Sequence, residues 1–144
     1  MPSLLKSIVC LDCGHSMPVD PLPTHCAACG SVWMDAQYDY EQAAALWKAG
    51  LAERATTIWR YEELLPLLDS TSIVSMGEGW TPLTRTEGLG RELGHEHLFI
   101  KDERQSPTGS FKDRQGSLTI SYLRQKGIRE IVMASTGNKA AAAA

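Results

Sequence analysis

Two sets of residues have the types and spacing to do chemistry: a lysine at the start of a predicted helix, and four clustered cysteines. Lys112 follows Ser110 and Phe111 in the chain. Ser110 is a good N-cap, and Asp113, three residues later, can complete a capping box. The exposed N–H groups at a helix start carry partial positive charge, which disfavours an ammonium and favours a neutral, nucleophilic amine. Placement alone fits a Schiff-base lysine, but it also fits, and more commonly, a solvated lysine at a loop-to-helix junction.

The cysteines form two Cys-x2-Cys pairs separated by twelve residues, namely Cys10, Cys13, Cys26 and Cys29. Each pair can sit on a tight turn that directs two thiolates at one ion, and two such turns complete a tetrahedron. Gly14 and Gly30 directly follow the pairs, where such a turn favours a residue that tolerates positive φ. Two disulfides would suit a secreted chain, which this sequence does not resemble. The spacing predicts a structural four-cysteine zinc ribbon, with His15 and His25 as surface residues.

The elements that must position the lysine alternate between strand and helix. Residues 97–101 (HLFIK) predict a buried strand, and residues 129–134 (REIVMA) predict a second short apolar strand. The helix after Ser110 is predicted to run to about Lys126, where Gly127 ends it. Two strands joined by a helix of this length indicate a parallel βαβ unit and therefore an α/β sheet.

Connecting structure is predicted between the cysteines and this α/β region. Residues 38–48 have helical composition with Gly50 as a stop, and a second helical stretch is predicted over about 51–65, before Pro66. Packing, not a binding platform, is predicted for the aromatic residues Trp33, Trp47, Trp59 and Tyr61.

A loop of small residues, Ser135-Thr136-Gly137-Asn138, follows the second predicted strand and leads into a helix. Backbone N–H groups at a helix start, next to a small flexible loop, form an anion site suited to a carboxylate. Such turns are common, so the loop alone is a weak indication of function.

Composition bounds the classes of function. With 144 residues there is room for one domain, or for one small module plus part of a larger one. A net charge of −3 without a basic patch gives no support for nucleic-acid binding. No apolar run approaches the roughly 20 residues that cross a membrane, and the N-terminal apolar stretch is too short for a secretory signal. The expected location is the cytoplasm.

Three motifs resemble the fold-type-II pyridoxal-phosphate enzymes, and most closely the threonine synthases. They are Glu103 followed after three residues by PTGSFKDR (107–114), the segment GEGWTPL (77–83), and Trp59-Arg60-Tyr61. The loop ending in Asn138 is similar to the asparagine loop of the same family. The family often has glycine after the arginine, where this chain has Gln115.

The resemblance implies a pyridoxal 5'-phosphate cofactor carried by Lys112 as a Schiff base and contacted by Asn138 and Phe111. It also implies that Lys112 is the acid/base for the α-proton of the substrate. Substrate-carboxylate contacts are implied for Ser135, Thr136 and Gly137. Lys139 stands where a small residue is expected, which indicates either a different acidic substrate or a solvated helix face.

The implied reaction is conversion of O-phosphohomoserine to threonine and phosphate. A serine/threonine ammonia-lyase or a cysteate synthase-like enzyme on the same scaffold is an alternative. A non-catalytic zinc-ribbon fragment is an alternative from another class. The expected partner is a small amino-acid substrate, with no nucleic acid or membrane, and the family usually forms homodimers when full length.

The expected architecture has three parts. Residues 1–34 form the zinc ribbon, residues 35–72 form a helical connecting segment, and residues 73–144 form the first portion of a three-layer α/β/α catalytic domain. The resemblance implies that this domain is truncated, because the family's glycine-rich phosphate loop and its pyridine-nitrogen partner come from later sequence.

Overall fold

The structure is a computed structural model that describes residues 3–144, and these divide into two units. The first unit extends to Ala55 and includes Trp59–Ser70, and the second comprises Thr56–Ile58 and Thr71–Ala144. The predicted ribbon and most of the predicted connecting segment therefore share one unit. None of the helices in the described part of the chain has the length and apolar character that a bilayer crossing requires.

The first unit is built on a three-stranded antiparallel sheet. Strand β1 (Leu5–Cys10) lies between β2 (Ser16–Met17) and β3 (Met34–Tyr38). The buried core of this sheet consists of Ile8, Cys10, Met17 and Cys26. Two of the four core residues are cysteines, so apolar burial alone gives this sheet little stability.

Helix α1 (Tyr40–Gly50) follows the sheet. It begins after Asp39 because the Asp39 carboxylate accepts a hydrogen bond from the Gln42 N–H at 2.9 Å. The helix predicted over residues 38–48 is confirmed, and Gly50 is its last residue.

The second predicted helix of the connecting segment is wrong as a continuous α-helix. It forms two 3₁₀ segments, Leu51–Glu53 and Ile58–Leu64, and the latter is kinked at Tyr61. Arg54 between them is extended, with ψ 153°, and its side chain makes a buried ion pair with Glu63. The tertiary pairing of Arg54 outweighs its local helical preference.

The aromatic residues divide between packing and exposure. The rings of Trp47 and Tyr61 meet edge to face, with centroids 5.4 Å apart, and Trp59 is buried. Trp33 is 68% exposed, so the packing prediction is wrong for that residue.

The second unit is a mixed α/β unit. Strand β4 (Leu83–Arg85) pairs with β5 (Phe99–Lys101) in an antiparallel ladder, and α2 (Glu87–Leu93) connects them. Helix α3 (Lys112–Gln125) ends at Lys126, as predicted, and the short α4 (Asn138–Ala141) comes last.

The predicted parallel βαβ unit is wrong. Within the described residues, 129–134 have no strand partner and Val132 is fully exposed. The predicted strand over 97–101 is reduced to β5, whose residues are exposed, not buried. A strand exists only where a neighbouring backbone supplies hydrogen bonds, and residues 129–134 have no such neighbour among residues 3–144.

Helix α3 anchors the segment at Val74 through serine side chains. The Ser117 hydroxyl donates to the Val74 carbonyl at 2.8 Å, and the Val74 N–H donates to the Ser121 hydroxyl at 2.9 Å. These serines lie on the buried stripe of α3 with Asp113 and Gly116. The stripe is therefore small and polar, and hydrogen bonds fix the position of the helix that begins at Lys112.

Candidate functional site

Lys112 is the first residue of α3, as the sequence predicts. Its N–H donates to the Ser110 hydroxyl at 3.2 Å. Its ammonium nitrogen lies 4.3 Å from the centre of the Phe111 ring. The side chain is half-buried, so the amine is held at the helix start and still open to a ligand.

The predicted capping box is wrong. The Asp113 carboxylate accepts from the Thr108 N–H at 2.7 Å and from the Thr108 hydroxyl, and it makes no bond to the Ser110 N–H. Asp113 is completely buried. A buried carboxylate needs several donors, and Thr108 supplies two of them. The loop before Lys112 is thereby fastened to the first turn of α3.

An ion pair joins the two ends of the segment that leads into α3, residues 103–114. The Arg114 guanidinium donates to both oxygens of Glu103, each at 2.9 Å. The Thr81 hydroxyl donates to the same carboxylate at 2.7 Å. The Arg114 guanidinium lowers the pKa of Glu103 to about 2. Sequence reasoning assigned no role to Thr81 or Arg114, although both lie within motifs that it singled out.

We expect Arg114→Gln to raise the pKa of Glu103 from about 2 toward its ordinary 4.5. A lowered pKa means that the pair stabilises the fold above about pH 4.5, and that this stabilisation is lost as the pH falls toward 2. Carboxyl-carbon NMR titration of Glu103 measures the shift directly. Arg104→Gln is the matched control, because the exposed Arg104 pairs with Asp102 instead. Equal titration curves for wild type and Arg114→Gln would contradict the assignment.

Lys112 shares a pocket with the predicted small-residue loop. The pocket has a volume of about 700 Å³, within the range of small-molecule sites. Its lining residues are Lys112, Ala134, Ser135, Thr136, Asn138 and Lys139. The structure thus brings together four predicted site residues and adds Lys139. Neither Phe111 nor Gly137 is among the residues that line it.

The hydrogen bonds of the loop are largely internal. The Ser135 hydroxyl accepts from the N–H groups of Gly137 and Ala140, at 3.1 and 3.2 Å. Helix α4 has only four residues, so its dipole is small. The substrate-carboxylate site stays a prediction, and in this structure two nearby N–H groups are engaged by Ser135.

Close contact between Gly116 and the backbone of Ala142 sets the spacing between α3 and α4. A Cβ atom added at Gly116 would overlap the carbonyl group of Ala142. Gly116 lies one turn after Lys112 on α3, and Ala142 directly follows α4. The absence of a side chain at Gly116 therefore allows the end of α4 to pack directly on α3, which carries Lys112.

The four cysteines of the first unit converge at one point. Their sulfur atoms all lie within 4.8 Å of one another. The Sγ atoms of Cys10 and Cys29 are 3.6 Å apart, and those of Cys13 and Cys26 are also 3.6 Å apart. Four sulfurs at about 2.3 Å from a zinc ion would be about 3.8 Å apart, whereas a disulfide requires about 2.05 Å. The donor set and its spacing fit a tetrahedral metal site, and the cluster is compatible with a zinc ribbon.

The two cysteine turns have the same backbone pattern. The Cys10 N–H donates to the His15 carbonyl and the Gly14 N–H donates to the Cys10 carbonyl, both at 2.9 Å. The turn at Cys26 repeats both bonds at 2.7 and 2.8 Å. Gly14 and Gly30 have φ values of 72° and 76°, as the sequence predicts. The backbone hydrogen bonds within each turn therefore fix the positions of its two cysteines.

Backbone N–H groups also favour the thiolate form at Cys10. The Cys13 N–H, with a further contribution from Asp12, lowers the pKa of Cys10 to about 7. The thiolate is the form that binds metal. His15 and His25 are exposed, as predicted. Four thiolates would fill a tetrahedral ion completely, which is typical of a structural site.

Residues 74–144 match the family described as pyridoxal-phosphate dependent enzyme. The chain is 39% identical over 136 residues to the threonine synthase of Methanocaldococcus jannaschii, an alignment that covers 94% of this chain and 33% of that protein.

Two further relatives agree with this match. The threonine synthase of Methanosarcina acetivorans is 33% identical over 135 residues, or 94% of this chain and 32% of that protein. The threonine synthase of Halalkalibacterium halodurans is 44% identical over 84 residues, or 58% of this chain and 23% of that protein. The chain spans about one third of the length of the first two relatives. Residues 74–144 are therefore similar to the pyridoxal-phosphate dependent enzyme family, and most of the chain is similar to threonine synthases.

Proposed function

We propose that this protein is a pyridoxal-phosphate-dependent lyase of threonine synthase type that converts O-phosphohomoserine to threonine and phosphate. The observation that carries the proposal is a pocket whose lining residues include Lys112, Asn138, Ser135 and Thr136. An amine at a helix start beside neutral hydrogen-bonding groups is the donor set that an aldehyde cofactor with an amino-acid substrate requires.

Each residue has a role in this proposal. Lys112 holds the cofactor through its side-chain nitrogen, and Asn138 and Phe111 contact it. When bound, the cofactor supplies an electron sink that makes the α-proton of an amino acid removable. The Lys112 nitrogen would accept that proton after the amino group of the substrate has displaced it from the cofactor, which frees it as an amine.

The small-residue loop, residues 135–138, orients the substrate. The hydroxyl groups of Ser135 and Thr136, together with the backbone at Gly137, bind the α-carboxylate. The Ser135 hydroxyl accepts hydrogen bonds from the Gly137 and Ala140 N–H groups, and its own O–H can donate to the carboxylate at the same time.

The proposal extends to the rest of the protein. Cys10, Cys13, Cys26 and Cys29 hold a structural zinc ion in a zinc ribbon, supported by the spacing of their sulfur atoms. Residues 73–144 contribute to a fold-type-II, three-layer α/β/α catalytic domain. The protein acts in the cytoplasm as a homodimer on a small amino-acid substrate.

Reductive trapping tests the central assignment. Borohydride reduction in the presence of pyridoxal 5'-phosphate is expected to add one cofactor to the peptide that contains Lys112. Lys112→Ala is expected to lower the adduct yield by roughly tenfold or more, because the nucleophilic amine is removed. Peptide mass spectrometry measures the yield at every lysine.

The matched control is Lys48→Ala, which removes an exposed lysine from α1 and should leave the yield unchanged. Equal adduct yields with and without Lys112 would contradict the proposal. Turnover of O-phosphohomoserine, and not of O-phosphoserine or threonine, would separate a threonine synthase from a cysteate synthase-like enzyme or an ammonia-lyase.

A further inference from the structure

We infer that Lys139 binds the anionic side-chain group of the amino-acid substrate, which makes it a specificity-determining residue of the pocket. This inference rests on the proposed function and deepens it. Lys139 lines the same pocket as Lys112, so the pocket contains two side-chain amines. The remaining lining residues are alanine, serine, threonine and asparagine, and none of the lining residues is acidic.

The charge of Lys139 has no counter-charge in the described residues. Within residues 3–144, its ammonium makes no hydrogen bond and no ion pair. Apart from Lys112, Lys139 is the one basic residue among those that line the pocket. A ligand with a second anionic group is therefore preferred over one without it.

The neighbours of Lys139 indicate which group of the substrate it meets. Ser135 and Thr136 offer neutral hydroxyl groups, which the proposed function assigns to the α-carboxylate. Lys139 lies on α4, directly after Asn138, and reaches the pocket on a flexible four-carbon stem. An ammonium on such a stem binds phosphate as a point charge. Lys139 is exposed, so an anion that enters the pocket can reach its ammonium, and its role in this inference is to bind the phosphate of a phosphorylated amino acid.

Site-resolved acetylation tests this role on the unmodified full chain. Brief acetylation followed by peptide mass spectrometry gives a labelling rate for each lysine. We expect O-phosphohomoserine to slow the labelling of Lys139 about threefold or more and homoserine to leave it unchanged, because only the former carries the phosphate. The exposed Lys48 is the internal control and should label at the same rate with both compounds. Equal labelling of Lys139 with both compounds overturns the inference.

A second arm separates the substrate phosphate from the cofactor phosphate. The chain is first reduced with borohydride in the presence of either pyridoxal 5'-phosphate or pyridoxal. If the phosphorylated cofactor alone already protects Lys139, then Lys139 binds the cofactor and the inference is overturned. If Lys139 is protected only after O-phosphohomoserine is added, the inference is supported.

Two variants at Lys139 distinguish a failure of this inference from a failure of the proposed function. Lys139→Met is expected to bind O-phosphohomoserine about tenfold more weakly by calorimetry while homoserine binding is unchanged, and Lys139→Arg to retain most of the difference. The reduced adduct at Lys112 should form equally in both variants. Loss of the Lys112 adduct in the wild type contradicts the proposed function. A normal adduct with unchanged phosphate preference in Lys139→Met contradicts only the role of Lys139.

Discussion

Replacing Cys26 with serine is expected to release the metal from the first unit and to unfold its three-stranded sheet. Cys26 is both a proposed ligand and one of the four buried residues of the core. Structural zinc contributes on the order of 10 kcal/mol to the folding of small domains, far more than this core can replace. Metal content by mass spectrometry and far-ultraviolet circular dichroism would report the two losses together. A strong chelator should produce the same spectrum from the wild-type protein.

The control for this experiment is His25→Ala, next to Cys26 in the chain. His25 is exposed, and its ring nitrogen contacts the neighbouring Thr24 hydroxyl at 3.1 Å. Its replacement should leave the metal content at one ion per chain, since four thiolates already complete the tetrahedron. Retention of one zinc ion by Cys26→Ser, or loss of zinc from His25→Ala, would contradict the four-cysteine assignment.

Arg54→Met is expected to destabilise the first unit by about 3 kcal/mol, because it leaves a buried carboxylate without its counter-charge. Glu63 is completely buried, and Arg54 donates to its two oxygens at 2.5 and 2.8 Å. The Trp47 indole N–H donates to the same carboxylate at 3.1 Å. The Arg54 guanidinium lowers the pKa of Glu63 to about 2. The carboxylate is therefore fully charged at neutral pH, where urea unfolding with saturating zinc would measure the loss.

Two matched variants sharpen this measurement. Lys6→Ala breaks an ion pair with Asp39 in which the lysine side chain is 62% exposed, and it should cost far less stability than Arg54→Met. Glu63→Gln in the Arg54→Met background should recover part of the loss, because it removes the unpaired buried charge. Equal losses for Arg54→Met and Lys6→Ala would mean that burial does not control the energy of this pair.

Local patterns were sufficient to predict the parts of the protein that local geometry determines. The two cysteine turns depend on spacing and on residues that accept positive φ at Gly14 and Gly30. The position of Lys112 depends on where one helix begins. These features involve residues a few positions apart, so the sequence contains the physical causes in one window.

Features that depend on distant partners were beyond reach of the sequence pattern. The Asp113 carboxylate accepts from Thr108 in the folded loop and not from the Ser110 N–H, which a capping pattern cannot foresee. The serine side chains of α3 meet Val74 more than forty positions earlier in the chain. Residues 129–134 have the composition of a strand, yet composition does not specify a neighbouring backbone. Each difference arises from competition between a local preference and a tertiary partner.

The direct packing of α4 on α3 at Gly116 has a consequence for how this pocket can adapt. The atoms nearest to Gly116 at this contact all belong to Ala142, which is not one of the residues that line the pocket. Selection can therefore exchange the residues at positions 136 and 139 without altering this contact, whereas the Ser135 hydroxyl also binds the Gly137 and Ala140 N–H groups of the loop and α4. The α3–α4 contact and the ligand preference of the pocket can then change independently during evolution. A lineage can acquire a new substrate through changes at the pocket wall while the framework at Gly116 is retained.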